Sequence, residues 1–81
     1  MASLKFEGVR FAAYPNDHEP LHVHGFYADA AVIVELRLDR VVRLADRKDA
    51  VRPRNASRSD IKHVLLVAAA HFDELVALGE K

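Results

Sequence analysis

The chain has 81 residues, 51% of them apolar and 30% charged, with no net charge. That length makes one domain near the lower end of independently folding sizes, with a modest core that oligomerisation would supplement. The absence of cysteine excludes a disulfide framework, a thiolate zinc site and a cysteine nucleophile. Lys5 and Glu7 interrupt the apolar run that a secretory signal needs, and no segment is long enough to span a bilayer, so a cytoplasmic, membrane-free protein is expected.

Leu4 and Phe6 alternate with Lys5 and Glu7, and Val9, Phe11 and Ala13 alternate with Arg10 and Ala12. Residues 4–14 therefore read as a strand with a phase slip, and a bulge, at Gly8. Tyr14-Pro15-Asn16-Asp17 is a turn sequence, and Glu19-Pro20 extends the loop. Residues 22–27 form a second predicted strand that places His22, His24 and Phe26 on one face. Val32, Val34, Leu36 and Leu38 mark a third, and a turn near Asp39 leads to a fourth over 40–45. No connection here is long enough for a crossover helix, so an antiparallel meander is expected. The polar stretch 46–56, broken by Pro53, reads as a loop. Ser57 then caps a helix over 58–78, with Asp60 in capping-box position and Gly79 as its stop. Its predicted core stripe is Ile61, Val64, Leu65, Ala68, Phe72, Leu75 and Val76. Leu66, Val67, Ala69 and Ala70 widen the apolar surface toward a second copy or a partner. The expected fold is α+β: a small, mostly antiparallel four-stranded sheet with one long C-terminal helix packed on it, a single domain over 1–81.

The chemistry concentrates in Asn16-Asp17-His18-Glu19-Pro20-Leu21-His22-Val23-His24. Two residues apart on a strand, His22 and His24 project about 7 Å apart from one face. His18, four residues back, is close enough in sequence to fold over them. Three imidazoles with an open position suit a divalent metal such as zinc, nickel or iron, with His18, His22 and His24 as ligands. The same residues suit metal-free acid–base chemistry on RNA, because imidazole titrates near neutrality. They also suit a structural or non-catalytic binding role. His71, at the border of the helix's core face, is a packing residue or a fourth member of the set; His63 is expected to point into solvent.

Charge is unevenly placed. Residues 37–62 hold nine bases against four acids, while the flanking segments are net acidic. Arg37, Arg40, Arg43, Arg52 and Arg54 are the candidate phosphate contacts for RNA or DNA. Interleaved Asp39, Asp46, Asp49 and Asp60 are equally consistent with a solvated, ion-paired surface.

The pattern Asn16-Asp17-His18-x-Pro20-x-His22-x-His24 resembles the N-D-H-x-P-P-H-x-H signature of a bacterial domain-of-unknown-function family, number four-one-six-zero. Members then carry an alternating apolar strand and a helix with a histidine ahead of an acidic-Leu pair, here His71-Phe72-Asp73-Glu74-Leu75. The resemblance spans roughly residues 6 to 78. Leu21 stands in place of the second proline, Val23 in place of an aromatic, the helix lacks a tryptophan, and the stretch from Arg43 to Asn55 is longer and more basic. The resemblance implies a four-histidine set of His18, His22, His24 and His71. Members look like parts of two-gene cassettes of the toxin–antitoxin or regulatory kind. That implies a module acting on nucleic acid through the histidines; a metal-binding protein and a non-catalytic subunit of a neighbour-encoded partner are the alternatives.

Overall fold

The structure, a computed structural model, describes residues 2–13, 21–37, 39–46 and 48–79. These form β1 (Ala2–Phe6), β2 (Val9–Ala13), β3 (Leu21–Tyr27), β4 (Ala30–Leu36), β5 (Val42–Leu44), β6 (Val51–Arg52), α1 (Arg58–Ala70) and α2 (Phe72–Gly79). All pairings are antiparallel, in the order β1-β2-β3-β4-β5, with β6 beside β5 on the same edge of β4. The fold is the expected α+β sheet and C-terminal helix, with six strands where four were expected and a helix in two pieces.

Each difference has a local cause. The phase slip at Gly8 is a two-residue hairpin turn and not a bulge: Phe6 pairs with Val9, and Glu7 and Gly8 both have positive φ, 48° and 83°. That is the type I′ combination, whose twist matches that of the flanking strands. The turn between β4 and β5 closes with Arg40 N–H donating to the Arg37 carbonyl at 3.0 Å and Arg37 N–H to that of Val41 at 3.0 Å. Within the expected loop 46–56, Val51 and Arg52 pair with Val32 and Ala31. That ladder is too short for alternation to reveal it.

Ser57 caps α1 as expected, accepting from the N–H groups of Ser59 and Asp60. At His71 the backbone leaves helical geometry (φ −118°, ψ 33°). Its N–H is shared between the carbonyls of Val67 and Ala68, and its own carbonyl accepts from Leu75 N–H. The helix therefore bends there without stopping. The buried stripe is Val64, Val67, Ala68, Phe72, Leu75 and Leu78; Val67 and Leu78 join it, and the expected Ile61, Leu65 and Val76 are only partly buried. These side chains meet Val9, Phe11, Val23, Val32 and Val34 across one face of the sheet. Gly25 sits under α1, where a Cβ would come within 2.7 Å of a Val64 methyl. Both helices lie on that face, and among the described residues no helix covers the other. No helix among the described residues is long and apolar enough to cross a membrane.

Candidate nucleic-acid interface

Burial of Val23 and Gly25 beneath the helices turns their strand neighbours to the opposite face. His22, His24 and Phe26 therefore line the open face of β3, all half-buried. The register extends this into rows. Lys5, Arg10, Phe26, Ala31 and Arg52 follow one another across five strands, and Ser3, Ala12, His24 and Ile33 form the next row. His22 stands opposite Glu35, and Glu35 opposite Arg43. Directly opposed side chains start about 5 Å apart at Cβ, within reach of ion pairing. The Arg10 guanidinium lies over the Phe26 ring, 4.5 Å from its centroid. Arg37 is an exposed partner of Glu35 at 3.7 Å.

The segment between β5 and β6 walls this face. Ala45 N–H donates to the Ile33 carbonyl at 3.0 Å, and Ile33 N–H donates to the Ala50 carbonyl at 2.7 Å. Both polar groups of one central residue thus tie down the two ends of the excursion. Ile33, Ala45 and Ala50 form a small apolar cluster of their own. Beside it lies a concavity of about 270 Å³, lined by His24, Phe26, Ala31, Ile33, Asp49 and Arg52. A second, of about 300 Å³, is lined by Lys48, Asp49, Val51, Arg52 and Arg54. Asp49 and Arg52 belong to both.

The four-histidine set that the resemblance implies is not brought to one place, because His71 lies apart from His22 and His24. His22 and His24 share the open face, whereas His18 lies outside the described residues. His71 lies on the helix side with the sheet between it and His22 and His24. Its ring stacks on Phe6 at 3.8 Å with planes 6° apart. Nδ1–H donates to the Glu74 carboxylate at 2.7 Å, and Nε2 faces that of Glu7 at 3.9 Å. His63 is not directed into solvent: its Nε2–H donates to the Glu7 carbonyl at 3.0 Å, and its ring packs on Tyr27 at 4.4 Å. Both helical histidines thus fasten the helix to the first hairpin. Among the described residues no group of three or more His, Asp or Glu side chains is arranged to hold a metal ion.

The arginines divide as well. Arg40 is engaged elsewhere: its guanidinium bridges both Asp73 carboxylate oxygens at 2.7 and 3.3 Å and covers the Phe72 ring. The hydrogen bonds and charge of this pair raise the Arg40 pKa and hold the Asp73 carboxyl below the usual range. Arg52 and Arg54 line the concavities, and Arg43 stands in the Glu35 row. Arg10, Lys5 and Lys48, absent from the expected phosphate contacts, belong to the same surface. For Lys5 and Arg10 the signal was present in the alternation, which sets each out of phase with the buried residues of its strand.

The described residues form an α+β fold, a small antiparallel sheet with helices on one face and a basic, walled concavity on the other. The family model described as Domain of unknown function (DUF4160) matches residues 8–78, and the chain belongs to that family. No curated protein and no solved structure matches it.

Proposed function

We propose that the protein is a small nucleic-acid-binding module, of the toxin–antitoxin-like or regulatory kind, that takes a phosphate backbone across the open face of its sheet. The observation that carries this reading is the pair of adjoining concavities that share Arg52 and gather Lys48 and Arg54 beside His24 and Phe26. Arg10 and Lys5 continue the cationic row to the far edge. Arginine and lysine at such spacing meet phosphates through charge-assisted hydrogen bonds. Glu35 and Asp49 make the surface mixed, so phosphate binding concentrates at Arg52 and its neighbours. His22 and His24 supply imidazoles that hold or transfer protons beside a bound phosphate.

Fluorescence anisotropy with labelled RNA and DNA over a salt series tests the reading. Affinity is expected to fall with salt, because each phosphate neutralised adds about 0.7 to 0.9 to the log–log slope. Arg52→Ala with Arg54→Ala should weaken binding and reduce that slope by about 1.5. Absence of binding to any RNA or DNA at low salt overturns the proposal.

A further inference from the structure

The two concavities differ in character, and the difference points to the form of nucleic acid. The one beside His24 is lined by apolar Ala31 and Ile33, by two rings, His24 and Phe26, and by the charged pair Asp49 and Arg52. At about 270 Å³ it falls just below the range of sites that enclose a whole drug-sized ligand or cofactor. It suits one flat heterocycle. Its neighbour, with Lys48, Arg52 and Arg54 around Asp49 and Val51, is open and cationic. A nucleotide has these two parts in this order, a planar apolar-faced base joined through sugar to a phosphate.

We propose that the open face binds single-stranded nucleic acid, with one unpaired base in the His24/Phe26 concavity and its phosphate against Lys48, Arg52 and Arg54. The inference rests on the nucleic-acid reading above and narrows it. A base in the first concavity has its faces against rings and its edge toward Asp49 and Arg52, so that edge is not paired with another strand. Asp49 accepts hydrogen bonds from a base N–H or amino group, and Arg52 lies where it reaches base edge and phosphate alike. The Arg10 guanidinium over Phe26 offers a second planar surface on which an adjacent base stacks.

The rest of the molecule argues against a duplex. Reading a groove takes a protruding helix or two-stranded ribbon. The turns of the three hairpins β1-β2, β3-β4 and β4-β5 carry Glu7, Asp29 and Asp39, acidic groups that repel phosphate, and Arg40 at the third is bound to Asp73. The outer side of the helices presents Arg58 and Lys62 in the first turns of α1, then Leu66, Ala69, Ala70, Asp73 and Glu74. That surface is mixed in charge and carries no exposed ring among the described residues. On the helix side the one cation over a ring among the described residues, Arg40 on Phe72, is bound to Asp73; on the open face about three strand spacings place Arg10 and Arg52 roughly 14 Å apart with Phe26 between them. A platform of rings edged by cations is the arrangement that single strands use.

The experiment compares short labelled RNA and DNA strands with duplexes of the same sequence by anisotropy, on the full chain, together with a strand carrying one abasic position in each register. Single strands should bind at least about tenfold more tightly than duplexes. Abasic substitution in one register should cost about tenfold, the scale of one lost base–aromatic stack. Phe26→Leu should weaken single-strand binding by about tenfold and duplex binding by clearly less; circular dichroism checks its folding, and the abasic strands test the wild type without any variant. Nucleoside monophosphates should shift the His24 and Phe26 NMR resonances only at high concentration, which separates a strand site from a free-nucleotide site. Equal affinity for duplex and single strand, or indifference to every abasic position, overturns this inference and leaves backbone binding standing. Tight binding of free mononucleotide with no preference for strands also overturns it. Loss of all nucleic-acid binding removes both readings.

Discussion

Gly25 in the middle of β3 is the position where a single methyl group tests the packing most directly. A Cβ there would lie 2.7 Å from Val64 Cγ1 and 3.2 Å from Phe11 Cε1, and both neighbours are fully buried. Valine on a helix has one strongly preferred rotamer, so its methyl does not swing away. Overpacking of this kind costs about 1–3 kcal/mol, and the distance to Val64 places it in the upper half of that range. Replacing glycine within a strand recovers about 0.5–1 kcal/mol of chain entropy. The expected net loss for Gly25→Ala is therefore about 1–2 kcal/mol, from a total of about 4–12 kcal/mol for a domain of this size. Urea unfolding monitored by circular dichroism should show a midpoint lower by roughly 1 M or more with an unchanged slope. Val64→Ala alone loses buried methyl groups and also destabilises. In the double variant the new methyl occupies the space vacated by valine, so its loss should fall short of the two single losses by about 1 kcal/mol or more. A Gly25→Ala protein within about 0.5 kcal/mol of wild type, or strict additivity in the cycle, refutes the close approach of α1 to β3.

Two further outcomes follow from the surface and the turns. Asp73 is held deprotonated by Arg40, so its folded pKa lies below the unfolded one; the contribution is present above the ordinary carboxylate range and lost as pH falls through the folded value. NMR titration should find Asp73 below ordinary aspartates, and Arg40→Ala should return it to them; an unchanged midpoint would show that the pair does not form in solution. Ala28 holds φ at 52° in the β3–β4 turn, a left-handed geometry that disfavours a side chain. Ala28→Gly should raise stability by about 0.5–1 kcal/mol, seen as a higher urea midpoint, and a lower midpoint would contradict that turn geometry.

How far the sequence carried this structure varied with the length of the pattern. The helix, its cap at Ser57 and the apolar alternation of β2 to β4 extend over enough residues for one period to prevail. In the first hairpin two phases met at Glu7-Gly8, and alternation alone does not distinguish a bulge from a reversal; the positive φ at both residues does. β6 was hidden because two paired residues have no period. His22 and His24 were legible as neighbours on one face from strand spacing alone. The placement of His71 depended on which face of the sheet the helix covers, a tertiary fact set by where Gly25 and Val23 admit α1. His63 looked solvent-facing on the helical wheel, but the type I′ turn brings the Glu7 carbonyl to it. The arginines of 37–62 read as one basic stretch, yet the chain turns at Arg40 and sends that residue to the helices while Arg52 goes to the open face.

The excursion from Ala45 to Ala50 has a consequence for how such a protein changes over time. Its two ends are bonded to the same residue, Ile33, and short ladders on either side hang from the same strand, β4. Residues added or removed between those anchors lengthen or shorten the wall and leave strand register and the helix-covered core undisturbed, since loop closure penalises extra length only weakly. The wall of the open face can therefore drift by insertion and substitution in this one segment while the scaffold stays constant. Only this wall varies freely; the floor it borders is made of core strands.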